Sequence, residues 1–231
     1  MYYTTVGEGR DILFLHGWGC DGSVFLPVAN RLSGYRSILP DLNGFGKTPP
    51  PPCAWDVRNY AEATAEMLRG MGVNNTLVVA HSFGARVALA LAALYPVEGM
   101  LLVAPAALKL FSFRRVCKVA VYKGKKLLKK LGFRVTLPKG SADYAACSPQ
   151  MRPTFLRVVN GNVRPLLKKV SCPVVIINGR QDCETTVRHA KALKRRLKNC
   201  TLTLTEGGHF AFFAGPQSAA FAVRCFAEGI K

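Results

Sequence analysis

Short apolar runs recur along the chain, separated by longer amphipathic segments. The runs DILFL (11–15), RSILP (36–40), TLVVA (76–80), GMLLVA (99–104), PVVIIN (173–178) and TLTLT (201–205) have the length of strands. The first five are nearly continuous in apolar residues, the pattern of strands covered on both faces. Segments 59–72, 83–96, 185–199 and 216–230 repeat their apolar positions at helical spacing, and several stop at Gly, Asn or Pro. Strand and helix in alternation predict an α/β fold: a mostly parallel central sheet with helices on both faces.

The alternation breaks between Ala104 and Cys172. Segments 111–131 and 154–169 read as helices with no strand between them. This predicts a core built from 1–104 and 171–231, with a short, helical, strongly basic cap insertion at 105–170 over the carboxyl edge of the sheet. TPPPPCAW (48–55) reads as a loop of polyproline character.

Composition narrows the class. A chain of 231 residues that is 49% hydrophobic can bury one sizeable core. MYYTTVGEGRD lacks the basic and apolar regions of a secretory leader. Every apolar run is interrupted before the roughly 18 residues of a membrane span. The eight cysteines are scattered, with no C-x-x-C pair and no zinc spacing, so free thiols in a cytoplasmic protein are expected.

The charge is unevenly placed. Residues 101–200 hold 23 of the 32 Lys and Arg and 3 of the 13 Asp and Glu. Within them, 116–133 interleaves apolar and basic residues at helical spacing. Three roles fit such a helix: a cap packed on its apolar side with solvated lysines, a docking surface for an anionic substrate or acyl carrier, or contact with an anionic membrane surface. Nucleic acid is not expected, because charge without a recognition motif gives only non-specific attraction.

The chemistry concentrates at VVAHSFGA (78–85). A strand ends at Ala80, a helix begins near Phe83, and small residues, Ala80 and Gly84, stand two places either side of Ser82. A sharp strand-to-helix turn presses backbone on backbone, so its flanks must be small, and it lifts the serine hydroxyl above the sheet. A plain helix cap at Ser82 is the alternative reading of this stretch alone. At the helix start the Phe83 N–H could stabilise an oxyanion.

A serine nucleophile needs a base, and the base an orienting acid. Asp182 in GRQD follows the strand PVVIIN, and His209 in EGGHF follows TLTLT. Each member therefore lies just beyond a strand's carboxyl end, in the order Ser, Asp, His expected of α/β-hydrolases. HGWG (16–19) follows the first strand and offers the Trp18 N–H as a second oxyanion donor. His16 reads as structural, His81 as packing or pocket wall, and His189 as surface.

HGWG, DLNGFGKT (41–48), AHSFGA, GRQD and GGHF run across nearly the whole chain, which on them resembles an α/β-hydrolase fold enzyme. Within that superfamily it is most similar to the pimeloyl-[acyl-carrier-protein] methyl ester esterase-like carboxylesterases. The resemblance implies a triad of Ser82, Asp182 and His209, an oxyanion hole of the Trp18 and Phe83 amides, and no metal or organic cofactor. It implies a serine hydrolase that cleaves a carboxylic ester through an acyl-enzyme. The expected partner is a small-molecule ester or thioester, anionic or carrier-linked. The same site also fits a thioesterase, an amidase or peptidase, or a C–C bond hydrolase. A non-catalytic binding protein of this fold is the reading of another class; the complete triad argues against it.

Overall fold

The computed structural model describes residues 1–110, Val121, Lys125 and 142–230. The predicted segment 111–131 and most of the basic run lie outside the described residues.

Seven strands form one sheet in the order β1-β3-β2-β4-β5-β6-β7. They are β1 (Tyr3–Val6), β2 (Arg10–Leu15), β3 (Tyr35–Pro40), β4 (Thr76–His81), β5 (Val97–Val103), β6 (Val174–Gly179) and β7 (Cys200–Thr205). β1 pairs antiparallel with β3, and every other pairing is parallel. The sixth predicted run, TLTLT, alternates because β7 is an edge strand whose residues are in part exposed.

Alternation along the inner strands splits the core into two layers. Leu13 and Leu15 of β2 face one cluster with Val78, Ala80, Met100 and Leu102. Ile12 and Phe14 face the other with Leu77, Val79 and Leu101. The first layer is closed by α2 (Val57–Gly70), α3 (Phe83–Leu91) and α7 (Val187–Lys194). The second is closed by α1 (Leu26–Ala29) and α9 (Pro216–Glu228). The sheet is thus covered on both faces, as the apolar runs require. α2 begins two residues earlier than predicted because Asp56 caps it: its carboxylate accepts from the Arg58 and Asn59 amides, and the Asp56 amide in turn donates to Asn59 Oδ1.

Between β5 and β6 lie α4 (Ala142–Ala146), α5 (Met151–Asn160) and α6 (Arg164–Leu167). Segment 154–169 was expected as one helix and is two. Gly161 leaves helical geometry (φ −58°, ψ 150°), and Pro165 suits the first turn of α6, not a helix interior. α8 (Ala211–Ala214) lies between β7 and α9.

Candidate active site

Parallel strands carry their carboxyl ends to one edge, where the loops after β2, β4, β6 and β7 meet. Ser82 is the single residue between β4 and α3. It holds φ 50° and ψ −109°, a conformation few side-chain-bearing residues adopt, at a cost of roughly 1–3 kcal/mol. Its backbone is fixed on both sides: its N–H donates to the Val103 carbonyl (3.0 Å), and its carbonyl accepts from Ala106 (3.1 Å) and Ala85 (3.2 Å). A Cβ on Gly84 would stand 2.2 Å from the Leu15 carbonyl oxygen, so α3 can approach β2 this closely only with glycine there. The sequence requirement for a small residue thus has a definite backbone neighbour.

Asp182 lies three residues past β6 and is 3% exposed. Its Oδ1 accepts from the Glu184 and Thr185 amides, both at 2.8 Å, and Oδ2 accepts from the Thr185 hydroxyl (2.7 Å). His209 Nδ1 stands 2.8 Å from the same Oδ2. Burial pushes the carboxyl pKa up, but the bonds from His209 and Thr185 outweigh burial and hold it below its usual value. The anionic carboxylate fixes Nδ1 as the donor and turns Nε2 outward as the acceptor. The two loops converge because β6 and β7 part at glycines. A Cβ on Gly179 would meet the Gly207 carbonyl oxygen at 2.3 Å. Gln181 binds Gly207 through both its own N–H (3.0 Å) and its side-chain carbonyl.

His16 is fully buried; its Nε2 accepts from the Leu42 amide (3.0 Å), so Nδ1–H donates to the Gly17 carbonyl (2.8 Å). Burial holds its pKa below the usual value, keeping the ring neutral. It anchors the HGWG loop to the chain after β3, the structural role expected of it. Trp18 is clamped edge-on by Phe45, Phe83 and Phe155 at centroid distances of 4.9, 5.3 and 5.1 Å. Among the described residues neither the Trp18 amide nor the Phe83 amide, at the first position of α3, donates a hydrogen bond.

A cavity of ≈450 Å³ opens on Ser82, lined also by Trp18, Phe83, Arg86, Phe155 and Glu184. That volume suits a small organic ligand.

The structure therefore brings Ser82, Asp182, His209, Trp18 and Phe83 to one sheet edge, and joins Asp182 to His209 directly. It does not join Ser82 to His209: the described residues show no hydrogen bond between them. His209 Nε2 instead faces Glu184 Oε2 at 3.5 Å. His81, expected in packing, is 1% exposed beneath the site. Its ring lies 4.8 Å from that of His209, and its Nε2 lies 3.1 Å from the His209 carbonyl oxygen. Burial, and next the charge of His209, push its pKa down to about 4. His189, expected on the surface, is half-buried, with Nδ1 3.0 Å from the Thr186 hydroxyl. Three residues escaped the sequence reading. Glu184 and Thr185 stand two and three residues after Asp182 in QDCETT, where a hydroxyl three residues past an Asp is a local turn signal. Arg86 is the one charged residue in the apolar segment 83–96.

Residues 12–223 match the alpha/beta hydrolase family. The chain belongs to that family and is a hydrolase by descent. It is similar to the AB hydrolase superfamily protein YisY of Bacillus subtilis (26% identity, covering 92% of this chain and 90% of that one). It is also similar to the pimeloyl-[acyl-carrier protein] methyl ester esterase of a Shewanella species (34% identity over 106 residues, 45% of this chain and 38% of that protein). Among solved structures, the esterase EaEST from Exiguobacterium antarcticum superposes with a TM-score of 0.79 at 20% identity, over 98% of this chain and 95% of that one. At that identity the likeness concerns the fold.

Proposed function

We propose that the chain is a serine carboxylic-ester hydrolase. Ser82 attacks the ester carbonyl, and His209 Nε2 takes its proton and returns it to the leaving alcohol. Asp182 holds the imidazole and stabilises its charged form. The Trp18 and Phe83 amides bind the oxyanion, and water releases the acyl group. The reaction as written calls on no metal or organic cofactor.

One observation carries this reading: the Asp182–His209 pair and the left-handed Ser82 occupy the same sheet edge, above a cavity of small-molecule size. The Ser82–His209 hydrogen bond forms when the imidazole leaves Glu184, since catalytic bonds often tighten only with substrate bound. The described part of segment 105–170 caps the pocket in this reading, supported by Phe155 and Val158 in the cavity wall. Substrates are small esters or thioesters, anionic or carrier-linked, and the enzyme works in the cytoplasm.

Labelling with a fluorophosphonate probe tests the proposal. The wild type should label stoichiometrically and Ser82→Ala should not. Equal labelling of both proteins, or of neither, overturns it.

A further inference from the structure

Arg86 lies one turn into α3 from Ser82, on the wall of the same cavity, and is 6% exposed. A buried guanidinium needs partners for its five N–H groups. Nε donates to the Ala106 carbonyl, and Nη1 donates to the carbonyls of Val158 (2.8 Å) and Gly161 (3.3 Å) at the end of α5. These three acceptors are neutral. No carboxylate lies within ion-pair distance of Arg86 among the described residues. Among the described residues Nη2 makes no hydrogen bond, and it is not among the buried polar atoms sealed from solvent. Since Arg86 lines the cavity, Nη2 is the part of its guanidinium left to meet a ligand there.

A structural strut alone does not need this arrangement. The three carbonyls already tie α3 to the Ala104–Ala106 turn and to α5, and a neutral donor would avoid burying a charge. The position is also tied to the nucleophile: Ala106, whose carbonyl binds Nε, donates its own N–H to the Ser82 carbonyl. Asp143 and Glu184 also line the cavity, but both are exposed residues at its rim, whereas Arg86 is deep. Solvent screens the rim acids, and the low dielectric of the wall strengthens the buried cation.

We infer that Arg86 Nη2 binds a carboxylate of the substrate, so that the preferred ester carries a second, ionised carboxyl group in the cavity that Arg86 and Ser82 both line. A dicarboxylic monoester carries such a second carboxyl group, and one with a four-carbon spacer serves as the probe. This deepens the ester-hydrolase reading and rests on it for the position of the reacting carbonyl.

The test is a binding measurement on the non-hydrolysing Ser82→Ala protein, by calorimetry at pH 7.5, with monomethyl adipate and dimethyl adipate as probes. Two charge-assisted hydrogen bonds predict that the monoester binds at least about tenfold tighter than the diester. They predict that Ser82→Ala/Arg86→Gln loses that preference. Equal affinity of the two esters for Ser82→Ala overturns the inference without recourse to the double variant, as does a preference that survives Arg86→Gln. Hydrolysis by the wild type is read separately. Turnover without monoester preference leaves the hydrolase reading standing and removes this one. Preference without turnover keeps the carboxylate site and removes the hydrolase reading.

Discussion

Glu184 Oε2 lies 3.5 Å from Nε2 of His209, the nitrogen that would serve Ser82. With Nε2 unprotonated the contact is not a bond; it becomes an ion pair only when the ring takes the serine proton, and because the Glu184 side chain is 65% exposed it is then worth up to about 1 kcal/mol, or about fivefold in rate. Glu184→Gln removes that support for the protonated imidazole, so kcat on p-nitrophenyl acetate should fall by a factor of about two to five. An unchanged or raised kcat would show that Glu184 does not support the protonated ring.

The paired bonds on Asp182 Oδ2 predict a graded response. Asp182→Asn keeps the shape but offers an N–H where His209 needs an acceptor, so kcat should fall by about 10³–10⁴. Thr185→Val removes the second donor to Oδ2 and leaves the two amides on Oδ1. It should cost about tenfold in kcat and about 1 kcal/mol in stability. Equal losses in both variants would contradict the assignment of Asp182 as the orienting acid.

Two glycines give opposite expectations. Gly84→Ala places a Cβ 2.2 Å from the Leu15 carbonyl oxygen, in backbone that cannot move without parting α3 from β2. Its melting temperature should drop sharply. A Cβ on Gly70, at the end of α2, meets nothing within 4 Å. Gly70→Ala should stabilise by about 0.5–1 kcal/mol. Thermal melts of both variants check the pair, and a tolerated Gly84→Ala would refute the close approach.

His81 makes stability depend on pH in a defined window. Its folded pKa of about 4 lies below the ordinary 6.5, so the unfolded chain binds the extra proton between those values. Stability is then full above about pH 6.5 and is lost as pH falls towards 4, by on the order of 3 kcal/mol. His81→Gln retains a donor for the His209 carbonyl but does not titrate. Denaturation of the two proteins at pH 7 and pH 4.5 should show a shallower pH dependence in the variant; equal dependence would mean that His81 does not contribute.

Five of the seven strands were legible because burial on both faces leaves nearly continuous apolar runs; β7 was legible from its alternation, and β1, largely exposed, carries no such run. The candidate triad was legible because each member follows such a run, and parallel strands send their ends to one edge. Other features depend on geometry that spacing does not carry. The facing of Glu184 and His209 arises from how two loops fold back at Gly179 and Gly207. The split of segment 154–169 turns on Gly161, which the apolar pattern bridges. The start of α2 was set by a side-chain cap at Asp56, ahead of the first periodic residue. Arg86 was visible as a lone charge in an apolar helix, but its meaning depends on the three carbonyls around it.

The central claim is that Ser82 is a nucleophile activated by His209. The most direct measurement is the rate of p-nitrophenyl acetate, butyrate and octanoate hydrolysis by the wild type and by Ser82→Ala. The account predicts turnover of at least one ester by the wild type and a fall of about 10³-fold or more in the variant. Rates equal to each other and to the uncatalysed background would contradict it.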